Sequence, residues 1–233
     1  MIVAQLWRYP VKALGGERLA QAQFTLRGIP LDRSYAVLDS DPLRSGKLLT
    51  ASRAKRLLAY RSFARGDGVL VRTPSGRECA ADDGAWLDEL EGDIGKPASL
   101  RSSEEPMHDD ADLLVVNAAS VRALSEEYGA PINPMRFRPN VILDAVDARP
   151  FEETAWPGET FDAGEALVEV VHPCERCVVT TIDPETFESD ASFLKLIVQE
   201  HHGHFGVLCR VLRTGVVHAG DEWRAKDVAE AAS

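Results

Sequence analysis

The chain has 233 residues, 45% hydrophobic and 27% charged, a globular composition long enough for one large domain or two small ones. Its 26 basic against 37 acidic residues leave a formal charge of -11, which favours solubility and sets the overall field against DNA, RNA and anionic lipid. No run of about 18 apolar residues is present, so no membrane span is expected, and the opening MIVAQLWRYPVKAL lacks the blocks of a secretory signal.

Residues 2–9 alternate loosely and read as a strand, followed by short strands at 20–26 and 34–38. The same spacing continues through 57–64, 69–73 and 77–80, with turns at 65–68 and 73–76. Short strands punctuated by Gly and Pro suggest a small barrel or sandwich. A short helix is expected over 86–90. The polar stretch 100–112 is the candidate boundary between two modules. Beyond it, 113–116 reads as a strand, Asn117 as an N-cap and 118–128 as a helix ending near Gly129. Segments 141–143, 166–171 and 178–182 are β-like, 191–200 is helical, and 205–212 with a turn at 219–221 completes the chain. The fold class is therefore mainly β with a few helices, an α+β chain of two β-barrel-like modules.

Three local motifs carry candidate chemistry. The first is His172-Pro173-Cys174-Glu175-Arg176-Cys177 followed by Val-Val-Thr-Thr-Ile-Asp-Pro. The four cysteines, with Cys79 and Cys209 far from this pair, do not form a secreted disulfide scaffold, so reduced cytoplasmic thiols are expected. C-x-x-C can close on a metal, with His172 as a third ligand, or form a redox pair. Both cysteines can equally be small buried apolar residues. The second motif is Arg136-Phe137-Arg138-Pro139-Asn140. In an extended segment its two arginines share one face, which suits a phosphate or other anion, or simply solvent. The third is Tyr9-Pro10-Val11-Lys12 with Asp32-Arg33 downstream, the latter most simply a local ion pair on a turn.

Taken in order, Y-P-V-K, D-R, R-F-R-P-N and C-x-R-C-V-V-T-T-I-D-P give the chain its resemblance to the MOSC family with its N-terminal β-barrel domain. That family includes amidoxime-reducing molybdenum enzymes and the C-terminal part of molybdenum cofactor sulfurases. The resemblance implies an N-terminal barrel over residues 1–100 and a MOSC domain over 110–226. It implies that Cys177 ligates molybdenum and is the catalytic position, with Cys174 a neighbour and not a ligand. A soft thiolate suits such a centre, and Arg176 beside it favours the thiolate. Lys12, Arg33, Arg138 and Arg176 match basic positions around the anionic molybdopterin, and Asn140 matches a polar contact. Ala13 stands where the family often has Ser, and Asn117 replaces another hydroxyl, with Ser120 close by.

The resemblance carries several functional expectations. The cofactor is the molybdenum cofactor, and the chain holds no iron–sulfur cluster or pyridoxal-phosphate domain. The chemistry is reduction of N-hydroxylated or other N–O compounds, with a small-molecule substrate and electrons from a separate flavoprotein or iron–sulfur protein. No nucleic-acid or membrane partner is expected. The alternatives are a non-catalytic carrier of the cofactor or of sulfur, and a binding module whose cysteine has no redox role.

Overall fold

The computed structural model describes residues 1–43, 46–108 and 110–226, and the chain is mostly β, as the strand spacing implied. Its largest sheet has eight strands in the order Trp223–Ala225, Thr160–Ala163, Ala166–Glu175, His204–Arg213, Leu113–Asn117, Val141–Asp144, Ile2–Arg8, Glu17–Leu19. The pairing of Leu113–Asn117 with Val141–Asp144 is parallel. Because Ile2–Arg8 pairs antiparallel with Val141–Asp144, the first strand completes the sheet of the second half. A core containing Val3, Phe24, Val115, Val168 and Trp223 packs against this sheet.

Residues between the first strand and the eight-stranded sheet's return build smaller sheets. Tyr35–Asp39 lies between Ala98–Ser102 and the two-residue strand Val11–Lys12. Arg61–Arg65, Gly68–Arg72 and Glu78–Ala80 form an antiparallel meander. These enclose a second core around Leu14, Val37, Leu57, Tyr60 and Trp86.

The helices follow their sequence signals. Ala118–Tyr128 begins where the Asn117 side chain accepts from Ala119 N at 2.9 Å and ends at Gly129 with φ 78°, which satisfies an end donor and lets the chain turn out. Ala191–Glu200 is capped by Asp190 in the same way. Both helices cover a third core in which Phe137 stacks on Phe205 at 4.0 Å between centroids. At Gly206, φ is +69° and a Cβ would meet Val115 O at 2.7 Å. Only glycine lets that strand lie so close to its neighbour.

Two expected strands give way to helical turns, the first only in part. Within 57–64 the strand is confined to Arg61–Arg65, and Lys55–Ala59 is a 3-10 helix. Ala51, Ala54, Leu57 and Tyr60 are the buried positions, and a repeat of three matches a 3-10 turn and not strand alternation. Likewise 178–182 contains the 3-10 turn Val178–Thr181. Thr180 Oγ1 donates to Cys177 O at 2.6 Å and Thr181 Oγ1 to Val178 O at 2.8 Å, so the hydroxyls close a turn on the backbone in place of a ladder.

Candidate functional site

The buried carboxylate of Asp32 organises one side of the site. Its side chain is fully buried and accepts from Tyr9 N at 2.6 Å and Asn140 Nδ2 at 3.0 Å, while pairing with the Arg33 guanidinium. Asn140 Oδ1 in turn accepts from Leu114 N at 3.2 Å. Arg33 Nη1 lies 3.4 Å from that oxygen, and Nη2 lies 3.4 Å from Arg138 O. What reads as a local ion pair in sequence is thus a hub that joins three distant segments. Arg138 lies over the Tyr9 ring, 4.4 Å from its centroid, with Arg33 at 5.2 Å. Burial pushes the Tyr9 hydroxyl upward, with Arg138 and Arg33 opposing. It stays a neutral donor to Pro139 O.

Ala13, Arg33 and Arg138 adopt left-handed backbone at φ 70°, 53° and 57°. Such conformations cost about 1–3 kcal/mol each in non-glycine residues, and here they cluster where cations turn inward. Lys12 Nζ donates to Met107 O at 2.9 Å.

The other side is the end of strand Ala166–Glu175 and the turn after it. The structure changes the expected partner of Arg176. Cys174 lies inside the strand at a register shift, half-buried, whereas Cys177 is exposed and caps the 3-10 turn. Arg176 directs Nη1 to Cys174 Sγ at 2.9 Å and Nη2 to Phe137 O at 2.9 Å. The arginine therefore anchors Cys174 to the R-F-R-P-N segment and is not bonded to Cys177.

Arg136 and Arg138 do not share a face, because Pro134–Arg136 is a 3-10 turn and Arg138 has positive φ. Arg136 reaches Thr181 O at 2.8 Å and Asp183 Oδ2 at 2.8 Å over the Phe193 ring. It ties down the turn that begins at Cys177.

These elements surround a cavity of about 520 Å³, whose wall includes Lys12, Arg33, Arg138, Asn140, Arg176 and Cys177. That size is in the range of small-molecule and cofactor sites. Sequence reasoning missed other wall residues: Thr50, His108, Asp110 and His204. His108 and Asp110 lie in the stretch read only as a boundary. Ser120 is not in the wall; it donates to buried Glu153 and accepts from Phe151 N. Asn117 serves the helix cap.

The donor set suits an anionic group bearing a soft metal. Arg176 Nε and His108 Nε2 are buried without a hydrogen-bond partner among the described residues. A buried donor such as the Arg176 Nε–H left this way costs about 1–3 kcal/mol, which an acceptor in the cavity would return. The exposed Cys177 offers one thiol. Among the described residues no group of three or more His, Cys, Asp or Glu converges on a metal position, so the His172 and C-x-x-C zinc arrangement is not assembled.

A model of the MOSC domain matches residues 103–224, and a model of the MOSC N-terminal beta barrel domain matches residues 1–88. Mitochondrial amidoxime-reducing component 1 of Homo sapiens is 25% identical over 235 residues, covering 79% of this chain and 67% of the relative. A molybdenum cofactor sulfurase of Caenorhabditis elegans is 27% identical over 221 residues, covering 82% of this chain. The match spans only 30% of that sulfurase. The crystal structure of the YUAD protein from Bacillus subtilis superposes with a TM-score of 0.55 at 15% identity, covering 96% of this chain and 94% of that one. At such identity the likeness concerns the fold alone.

Proposed function

The chain belongs to the MOSC domain family, which is associated with the molybdenum cofactor, and on that premise we propose that it is a cofactor-dependent reductase of N-hydroxylated or other N–O compounds. The observation that carries the proposal is the shared cavity: Cys177 and five cations, Lys12, Arg33, Arg136, Arg138 and Arg176, come from segments more than a hundred residues apart and face one space. In an acidic chain with a formal charge of -11, cations gathered in one wall favour an anionic occupant.

Cys177 is the protein ligand, because its thiol is exposed at a turn whose backbone is fixed by the two threonines and Arg136. Lys12, Arg33, Arg138 and Arg176 face the anionic molybdopterin, and Asn140 holds Arg33 in place. The bound group supplies two-electron chemistry, and the protein binds, orients and tunes it. Electrons come from a separate flavoprotein or iron–sulfur protein. We place the reaction in the cytoplasm, where four free cysteines stay reduced. Among the described residues no helix is long and apolar enough to cross a membrane.

The match to sulfurases favours a second reading, a carrier of the cofactor or of sulfur on Cys177. One experiment separates them. The protein is purified from a cofactor-competent host, its molybdenum per chain is measured, and benzamidoxime is offered with a chemical reductant. Molybdenum near one per chain with reduction of the amidoxime is the expected result. Molybdenum without reduction selects the carrier, and absence of molybdenum overturns both.

A further inference from the structure

His172 is a titratable residue of the His-Pro-Cys-Glu-Arg-Cys motif to which the proposed cofactor site gives no role. Its Nε2 lies 2.8 Å from Asp110 Oδ2, and its Nδ1 lies 2.9 Å from Pro173 O. A carbonyl oxygen only accepts, so Nδ1 carries a hydrogen, and the contact at Nε2 needs a proton held between ring and carboxylate. Both residues are in the cavity wall. Their side chains are 43% and 57% exposed, so the pair sits at the mouth, where water can restore a proton. His172 is fixed by its strand, paired with Leu208 five residues before Cys177.

The other histidines do not offer this arrangement. His201–Glu127 and His218–Asp221 lie outside the cavity wall, as does His202, and His204 is in the wall but pairs with no carboxylate among the described residues. His108 is in the wall, but its ring is 3.9 Å from Asp32, whose oxygens already serve Tyr9, Arg33 and Asn140. Burial, then the Arg33 charge, holds His108 below the usual imidazole range.

We propose that the His172–Asp110 pair is the proton donor to the departing oxygen of an N–O substrate bound in this cavity. This role rests on the reductase reading above. Reduction of R–NH–OH breaks the N–O bond and consumes two electrons and two protons, giving R–NH2 and water. The electrons come from the reduced flavoprotein or iron–sulfur donor. The proton shared by His172 Nε2 and Asp110 Oδ2 goes to the oxygen, solvent gives the other to nitrogen, and water at the mouth returns a proton to the pair. General acid catalysis of this kind contributes about 10²–10⁴-fold.

The test uses the cofactor-loaded protein with a chemical reductant and benzamidoxime, comparing wild type, His172→Ala, Asp110→Asn and His218→Gln. His172→Ala should lose about 100-fold or more in kcat, keep its molybdenum, and recover part of the rate when imidazole is added. Asp110→Asn should lose less, and His218→Gln should match wild type. In the 15N spectrum of the histidine rings, Asp110→Asn should move the His172 Nε2 signal. Wild-type turnover that survives unchanged in His172→Ala overturns the inference and leaves the reductase reading standing. Loss of molybdenum in His172→Ala, or failure of imidazole to restore any rate, also overturns it. A wild type that holds molybdenum but reduces nothing overturns the reductase reading itself, and the inference with it.

Discussion

The two walls of the cavity are built on opposite principles. On the Arg33 and Arg138 side, a fully buried carboxylate gathers a backbone amide, an asparagine and an arginine from segments near residues 9, 33 and 140. On the Cys177 side, a four-residue turn is closed by its own threonines and tied from outside by Arg136. A long-range network fixes charges that must stay in place without a ligand, whereas a short local turn leaves a thiol exposed for bonding. The first wall should therefore govern stability, and the second should govern chemistry.

Removing the hub should have the largest effect. Asp32→Ala leaves Arg33 buried without its partner and should cost about 3–5 kcal/mol of unfolding free energy, the range for breaking a buried ion pair. Urea denaturation measures it, and a loss under 1 kcal/mol would contradict the network account.

Arg136→Ala removes a charge-assisted tie that is 9% exposed at the side chain and should cost about 1.5–3 kcal/mol. Its partner Asp183 gives a pH signature. Burial raises that carboxyl, but amides of Glu185 and Thr186 and the Arg136 guanidinium outweigh it, so the net direction is down. A lowered folded value means stability that is present above the ordinary carboxylate value, about 3.9, and lost as pH falls through the folded one. Asp183→Asn should thus be less stable than wild type at neutral pH, with the gap closing in strong acid. A gap independent of pH would break the assignment.

Arg138→Ala should weaken cofactor retention by about 1.5–3 kcal/mol, roughly 10–100-fold, through one lost charge-assisted contact. Molybdenum content after dialysis reports this. Full occupancy with collapsed thermal stability would move Arg138 into the structural network. Cys177→Ser should have the smallest effect on folding, within about 0.5 kcal/mol, as for exposed positions.

The sequence made some of this legible and hid the rest for physical reasons. The helix 118–128 was visible because its pattern and the Asn117 cap agree, and 191–200 from its pattern alone, the Asp190 cap appearing only in the fold. Lys12, Arg33, Arg138, Asn140, Arg176 and Cys177 were reached through motif order, since no spacing rule joins residues so far apart. Asp32 looked like half of a surface pair because its burial depends on Tyr9 and Asn140, which only the fold brings near. The turn at 178–181 looked like a strand because Val and Thr favour strands locally, while the hydroxyl bonds that override this preference leave no trace in composition. Arg176 was assigned to its neighbour Cys177, but the strand end directs it to Cys174 and Phe137 O.

The central claim is that one exposed thiol on the local turn holds the metal, and not the cysteine pair. Molybdenum per chain, measured by elemental analysis on wild type, Cys177→Ser and Cys174→Ser from the same cofactor-competent host, tests it directly. Serine keeps the size but offers a hard, protonated oxygen to a soft centre. The expected result is molybdenum near one per chain in wild type, a substantial part of it in Cys174→Ser, and none in Cys177→Ser. Equal loss in both variants, or full molybdenum in Cys177→Ser, would contradict the claim.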